Sequence, residues 1–257
     1  MAVVRGLKAL LRRTAPSKLV RSRASTCYRL KGPGGKATGP RLVGVAKKLS
    51  STVWKGKDDG SGGGGGSGSG DRAGRAWRGE GGGRRRGAAV DANASRCAKM
   101  SVAKRGKTKM LALTRTVFSA FDHHGLAPVD SQRCVADARR RLGTAVDFVC
   151  QRGDDALCLV ELKCGYPAGR KKAELARAMK APLQKAKDCH LHRHFAQLAA
   201  TVALFEQETG TLKALRTKGI VRVDAALLYV DDTESTLFEL PSWWRRRGGE
   251  LLRRITR

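Results

Sequence analysis

The chain has 257 residues, with 52 Lys and Arg against 22 Asp and Glu, which gives a formal net charge of +30. A surplus of this size favours polyanionic partners, nucleic acid before an acidic membrane surface. No stretch approaches the roughly 18–20 apolar residues that a membrane-spanning helix needs, so no membrane span is predicted. The seven Cys residues form no Cys-x-x-Cys pair, which predicts reduced thiols in an intracellular protein and argues against a disulfide framework or a four-cysteine zinc module.

The N-terminal segment, residues 1–57, holds 15 basic residues and no acidic residue. An Arg-rich, acid-free start with apolar residues at helical spacing is typical of a mitochondrial or plastid transit peptide. The same composition suits a basic arm that binds nucleic acid without any targeting role, and then a nuclear location is equally open. In both interpretations we expect this segment to be mostly disordered. The apolar residues at helical spacing are Val3, Val4, Leu7, Leu10 and Leu11.

Residues 58–100 are rich in Gly and Ser and include the run SGGGGGSGSG. Because Gly loses the most conformational entropy on folding and few large apolar side chains occur here, we predict a flexible linker. Order is predicted from residue 101 to 244, a length sufficient for one hydrophobic core. Residues 245–257 are predicted to form a basic C-terminal tail.

The predicted elements of the ordered part begin with a helix at 108–124, whose apolar residues share one face and which Gly125 would terminate. An extended segment at 126–136 precedes a hairpin of two short apolar strands at 143–151 and 156–163. Helices are predicted at 172–187 and 191–208, and strands at 220–230 and 236–240. This order predicts an α/β domain with a mixed central sheet.

Three charged residues interrupt the apolar hairpin. Glu161 and Lys163 are two residues apart on one strand, so their side chains share a face. Asp147 lies in an apolar run on the preceding strand, and a turn centred near residue 154 places it beside Glu161. A buried carboxylate is unfavourable unless it is paired or binds a metal. Two carboxylates and the backbone carbonyl of Leu162 would suit Mg²⁺, although a solvated Glu–Lys ion pair is an alternative.

The order of these residues resembles the motif of the PD-(D/E)XK nuclease superfamily, with an Asp, thirteen intervening residues, and Glu-Leu-Lys on a second strand. The predicted elements likewise resemble its restriction-endonuclease-like α-β-β-β-α-β core over residues 108–240. The resemblance implies that Asp147 and Glu161 bind Mg²⁺ or Mn²⁺ and that Lys163 supports catalysis. Within the superfamily, the segment is most similar to the RecB-like and lambda-exonuclease-like branch, in which a Gln on the following helix helps to shape the site, as Gln197 would here.

Two positions depart from that branch. Thr201 stands four residues after Gln197, where the branch commonly has a Tyr. The branch also tends to have an acid or a His on its first helix, and here Asp122, His123 and His124 lie near the end of the predicted helix.

Basic clusters precede and follow the predicted site in sequence and could hold a nucleic-acid backbone. We therefore predict a Mg²⁺-dependent nuclease acting on DNA. One alternative is a nuclease-like fold that has lost its chemistry and serves as a nucleic-acid-binding or architectural module. Another is a basic RNA- or ribosome-associated protein in an organelle. No protein partner is indicated. The predicted nucleic-acid-binding residues are Arg139, Arg140, Arg141, Arg170, Lys171, Lys172 and, as a base-stacking residue, Tyr166.

Overall fold

The computed structural model describes residues 2–14, 19–21, 27–30, 41–54, 82–164, 177–232 and 234–256. These residues form eight helices and one mixed β-sheet, so the predicted α/β class with a mixed sheet is confirmed. In chain order the elements are α1 (Ala2–Thr14), β1 (Leu19–Arg21), β2 (Cys27–Leu30), β3 (Arg41–Gly44), α2 (Val45–Thr52), α3 (Gly82–Ala98), α4 (Val102–Gly106), α5 (Ala112–His123), β4 (Leu126–Asp137), β5 (Leu142–Arg152), β6 (Ala156–Cys164), α6 (His190–Glu206), α7 (Thr209–Arg216), β7 (Arg222–Val230), β8 (Ser235–Glu239) and α8 (Ser242–Arg254).

The centre of the sheet is an antiparallel meander of β4, β5 and β6, followed by β7, which runs parallel to β6. Strand β8 then pairs antiparallel with β7. The first seven residues of β6 are all buried, which agrees with its apolar sequence, because a strand covered on both faces needs apolar side chains on both. The hairpin predicted from the sequence is thereby confirmed, with Gly153 at a positive φ of 60° in its turn.

One edge of β5 is shared by two strands. Residues 148–152 pair with β6, whereas Leu142 and Gly143 pair with Val43 and Gly44 of β3 in the parallel sense. Between these two ladders, residues 144–147 of β5 pair with neither strand. The β5–β6 ladder therefore opens at Asp147, where the candidate site lies.

Helices cover both faces of the sheet and enclose two apolar cores. One core contains side chains of α1, α2, α6 and α8, together with Val146, Leu157 and Leu159 of the sheet. The other contains side chains of α3 and α5 with Phe148 and Cys158. Glu161 and Lys163 follow Leu157 and Leu159 at even spacing and therefore face the core that α6 covers. Among the described helices, none is long and apolar enough to cross a membrane.

Within segment 1–57, which the sequence predicts to be mostly disordered, helices α1 and α2 pack on the domain. Leu7 and Leu11 of α1 and Leu49 of α2 are 2% exposed or less. The buried guanidinium of Arg133 on β4 donates to the Leu11 carbonyl at 2.6 Å and to Glu208 at 2.8 Å. Beyond these helices and strands β1, β2 and β3, nearly all of the predicted arm lies outside the described residues.

Three other elements differ from the sequence prediction. Helix α3 occupies the end of the predicted linker, where Val90, Ala94 and Cys97 form a buried stripe of mostly small side chains. Helix α8 occupies most of the predicted tail, and Trp244, Leu251 and Leu252 lie on its buried face. The sequence obscures this face because Arg residues are so frequent in the helix. In the predicted helix at 172–187, the described residues from 177 onward are irregular, with a bridge between Ala178 and Lys187.

Candidate metal and catalytic site

Asp147 and Glu161 lie at the opening of the β5–β6 hairpin. The last ladder pair is Phe148 with Val160, so these two residues are next in register. At this point the Asp147 side chain takes the place of a backbone carbonyl as the acceptor for β6. Its Oδ2 accepts a hydrogen bond from the N–H of Leu162 at 2.8 Å. The backbone of β6 thus fixes the Asp147 carboxylate beside Glu161.

Glu161 is buried, with 4% of its surface exposed, and its two carboxylate oxygens have different surroundings. Oε1 accepts hydrogen bonds from Lys163 Nζ at 2.7 Å and from Gln197 Nε2 at 2.6 Å. Oε2 is buried and has no hydrogen-bond partner among the described residues. A buried carboxylate oxygen without a partner is unfavourable, and a cation would satisfy it.

Two residues that sequence reasoning missed complete the polar cluster around Asp147. Gln132 on β4 donates from Nε2 to Oδ1 of Asp147 at 3.1 Å and to Oδ1 of Asp91 at 2.9 Å. Asp91 lies on α3, inside the segment predicted to be a flexible linker. The only signal for this helix is the spacing of Val90, Ala94 and Cys97, which is weak because Ala and Cys are small.

The cluster carries excess negative charge. The pKa of Asp147 is raised well above its usual value by burial, then by the charges of Glu161 and Asp91, while Lys163 and the Leu162 N–H act in the opposite direction. Burial, with Asp91 and Asp147 nearby, likewise raises the pKa of Cys164 to about 11. An environment that disfavours another negative charge in this way favours a bound cation.

Helix α6 contributes a second polar contact near Lys163. His194 Nδ1 lies 2.5 Å from the hydroxyl of Tyr229, which is the β7 register partner of Lys163. Burial lowers the pKa of His194 to about 2, with further lowering by Lys163, His190 and Arg193. The imidazole is therefore neutral at physiological pH and acts as a hydrogen-bonding group.

Thr201 does not extend the site as a longer Tyr side chain could. Its hydroxyl is buried and donates to the backbone carbonyl of Gln197 at 2.9 Å, one helical turn earlier. The C-terminal end of α5 carries the other candidates, Asp122, His123 and His124. Both His residues line a pocket there with Ser235 and Thr236 of β8. The helical acid joined to Asp147 through Gln132 is instead Asp91 of α3.

The predicted nucleic-acid-binding residues divide into two groups. Arg139, Arg140 and Arg141 are exposed in the β4–β5 turn, and Arg140 pairs with Asp137 at 2.5 Å. Arg141 is six residues before Asp147, which separates their backbone positions by roughly 20 Å along the strand. It lies at the end of the sheet where β6 terminates. The second group lies outside the described residues: Tyr166, Arg170, Lys171 and Lys172.

Within the described ranges, no three His, Cys, Asp or Glu side chains are grouped closely enough to hold a metal ion by themselves. Comparison of the chain with models of protein families, with curated proteins and with solved structures gave no match.

Proposed function

We propose that the protein is a Mg²⁺- or Mn²⁺-dependent nuclease that hydrolyses phosphodiester bonds of DNA. The observation that carries this proposal is the arrangement around Glu161. Lys163 and Gln197 both donate to one carboxylate oxygen, while the other oxygen is buried without a partner beside Asp147. Sequence positions far apart, 147, 161–163 and 197, thus meet at the open end of one hairpin.

The chain topology supports the same proposal. Helix α5, the antiparallel strands β4, β5 and β6, helix α6 and the parallel strand β7 follow the order of the α-β-β-β-α-β nuclease core, with the short helix α7 inserted between α6 and β7. In the motif of that superfamily, the Asp and the Glu-x-Lys lie on two different strands. Asp147 is on β5 and Glu161 and Lys163 are on β6, which agrees with that pattern.

The residues present fit a hard divalent cation. Asp147 and Glu161 offer carboxylate oxygens, one of them buried and without a partner. The N–H and C=O of a strand residue point to the same edge, and the Leu162 N–H points to Asp147, so we assign the Leu162 carbonyl as a third ligand. Water would complete the coordination, because Mg²⁺ commonly retains several waters. When bound, such a cation lowers the pKa of water and offsets charge on phosphoryl oxygens.

The protein side chains have distinct roles in the proposed hydrolysis. A P–O bond forms to the oxygen of water, the P–O bond to the leaving sugar oxygen breaks, and a proton of that water is transferred to the leaving oxygen. Lys163 supplies positive charge next to the phosphoryl oxygens or orients the attacking water. Gln197 holds the Glu161 carboxylate in place through its 2.6 Å hydrogen bond. The net charge of +30 favours binding of the nucleic-acid backbone.

The test uses the full chain, because α1 and α3 pack against the domain. Linear and circular DNA are incubated with the protein in Mg²⁺, Mn²⁺ or EDTA, together with Glu161→Gln and Lys163→Ala. The matched control is Glu239→Gln, an exposed Glu on β8. We expect metal-dependent cleavage that falls at least about 100-fold in the two site variants and is retained in the control.

Cleavage at the wild-type rate in either site variant would contradict the assignment. If the folded wild type shifts DNA in a gel but does not cleave it with either metal, the binding-module alternative is favoured. The circular substrate also shows whether the enzyme requires a DNA end.

A further inference from the structure

Gln132 occupies an unusual backbone conformation directly opposite Asp147. On β4, Ser131 pairs with Phe148 and Arg133 pairs with Val146, which leaves Gln132 facing Asp147. Its φ is 54°, in the left-handed region that side chains with a Cβ rarely adopt. Such conformations persist where the surrounding structure enforces them, and they concentrate at functional sites.

The partner strand is irregular at the same point. Residues two apart on a strand normally share a face, yet Val146 packs in the core beneath α6 and Phe148 in the core beneath α3 and α5. Asp147 therefore lies where β5 rotates between the two faces. This rotation directs its carboxylate to the strand edge, towards the Leu162 N–H on one side and Gln132 on the other.

The amide of Gln132 joins two carboxylates. Its Nε2 lies 2.9 Å from Oδ1 of Asp91 and 3.1 Å from Oδ1 of Asp147. An amide nitrogen has two hydrogens, and ionised carboxylates only accept hydrogen bonds, so one hydrogen is directed to each. A neutral donor thereby holds two like charges close together without neutralising either, and the Asp147 carboxylate keeps its charge for a cation.

We propose that Gln132 is a positioning residue that holds Asp91 and Asp147 in the orientation required for divalent-cation binding. This inference rests on the proposed function, and it assigns Gln132 to the support of the metal site. The left-handed backbone at residue 132 is maintained because it places the side-chain amide between the two carboxylates.

A Gly substitution at position 132 separates the effect of the side-chain amide from the effect of the left-handed backbone. Gln132→Gly relieves the backbone strain but also removes the donor to both carboxylates. These two effects on stability oppose each other, so the melting temperature of the metal-free variant is expected to change little. Its affinity for Mn²⁺ should nevertheless fall about 10–100-fold, as is typical when a group that orients metal ligands is lost. Gln132→Asn retains an amide and tolerates a positive φ. Its affinity for Mn²⁺ should therefore lie between those of the wild type and Gln132→Gly.

Arg141→Gly is the control for backbone strain alone, in titrations that contain no nucleic acid, because Arg141 also has a positive φ, 52°, and its backbone hydrogen bonds are with the backbone of Val43 and Ala138. It should match or exceed the wild-type melting temperature and bind Mn²⁺ with wild-type affinity. Affinity is measured by calorimetric titration of Mn²⁺ into the full chain, and melting is recorded in EDTA.

The outcomes separate this inference from the proposed function. A wild-type protein that binds no Mn²⁺ overturns both. Wild-type binding with equal affinity in Gln132→Gly overturns the positioning role alone. Equal losses of affinity in Gln132→Gly and Gln132→Asn, with lower melting temperatures in both, would indicate general damage to the fold and also overturn it.

Discussion

Gln197 Nε2 on α6 donates a 2.6 Å hydrogen bond to Oε1 of Glu161 on β6. The two residues are 36 positions apart in the sequence. The bond joins the helix that covers the sheet to the carboxylate at the opening of the β5–β6 hairpin. Lys163 donates to the same oxygen. The orientation of Glu161 is therefore set by two donors on different elements.

We expect Gln197→Ala to lower the rate of Mg²⁺-dependent DNA cleavage about 10–100-fold, the usual effect of losing a group that orients a metal ligand. The melting temperature should change little, because Lys163 still donates to Glu161. Initial cleavage rates provide the measurement, with Gln207→Ala, an exposed Gln just after α6, as the control. An unchanged rate in Gln197→Ala would show that this hydrogen bond is irrelevant to activity.

Asp147→Asn should stabilise the metal-free protein at neutral pH. The pKa of Asp147 is raised in the folded state by burial and by Glu161 and Asp91. Between the ordinary value of 3.8 and this raised pKa, the folded protein binds more protons than the unfolded chain. Stability therefore falls as pH rises through this window, and the loss is complete above the folded pKa. Asn carries no charge and avoids this loss.

The measurement is calorimetric melting in EDTA from pH 4 to pH 8. The wild type should lose stability relative to Asp147→Asn as pH rises, with about 2–4 °C of melting temperature for each kcal/mol. Added Mg²⁺ should raise the wild-type melting temperature by mass action and leave the variant unchanged. Identical pH profiles in EDTA would contradict the raised pKa.

Gly248 allows α8 to approach α6 closely. A Cβ at this position would lie 2.4 Å from the carbonyl oxygen of Ala199 on α6, whereas at Gly249 the nearest atom would be 3.8 Å away. We expect Gly248→Ala to destabilise the protein by about 1–3 kcal/mol because the helices must separate. Gly249→Ala should stabilise it by about 0.5–1 kcal/mol through helix propensity.

Urea unfolding of the two variants provides the measurement and its internal control. Because α6 carries Gln197, displacement of this helix in Gly248→Ala should also reduce cleavage. Equal stabilities for the two variants would rule out the close contact between α6 and α8.

Leu11→Ala tests whether α1 belongs to the folded domain. Leu11 is fully buried, and its carbonyl accepts the hydrogen bond of the buried Arg133 guanidinium. Removing a buried Leu side chain costs about 2–5 kcal/mol. A cleavable transit peptide or a free arm predicts no change, so equal urea midpoints for wild type and Leu11→Ala would favour those interpretations.

The sequence predicts the elements whose side chains have a clear period. The β5–β6 hairpin is marked by two apolar runs with Arg-Gly-Asp-Asp between them, and α6 by its long apolar surface. Helix α3 lacks such a mark, since Gly, Ala and Arg dominate it and its buried stripe is made of small residues. Helix α8 is similarly hidden, because five of its thirteen residues are Arg.

By itself the sequence determined that Glu161 and Lys163 share a strand face and that Asp147 lies opposite in the hairpin, because both follow from strand periodicity and turn position. Only the tertiary structure decided which distant groups meet there. Asp91 and Gln132 reach the hairpin from α3 and β4, through helix packing and a left-handed backbone that no local pattern specifies. Gln197 reaches Glu161 from α6, as the family resemblance implies. Their charges and hydrogen bonds set the environment of Asp147 and Glu161, and that environment is what supports the assignment of a metal site.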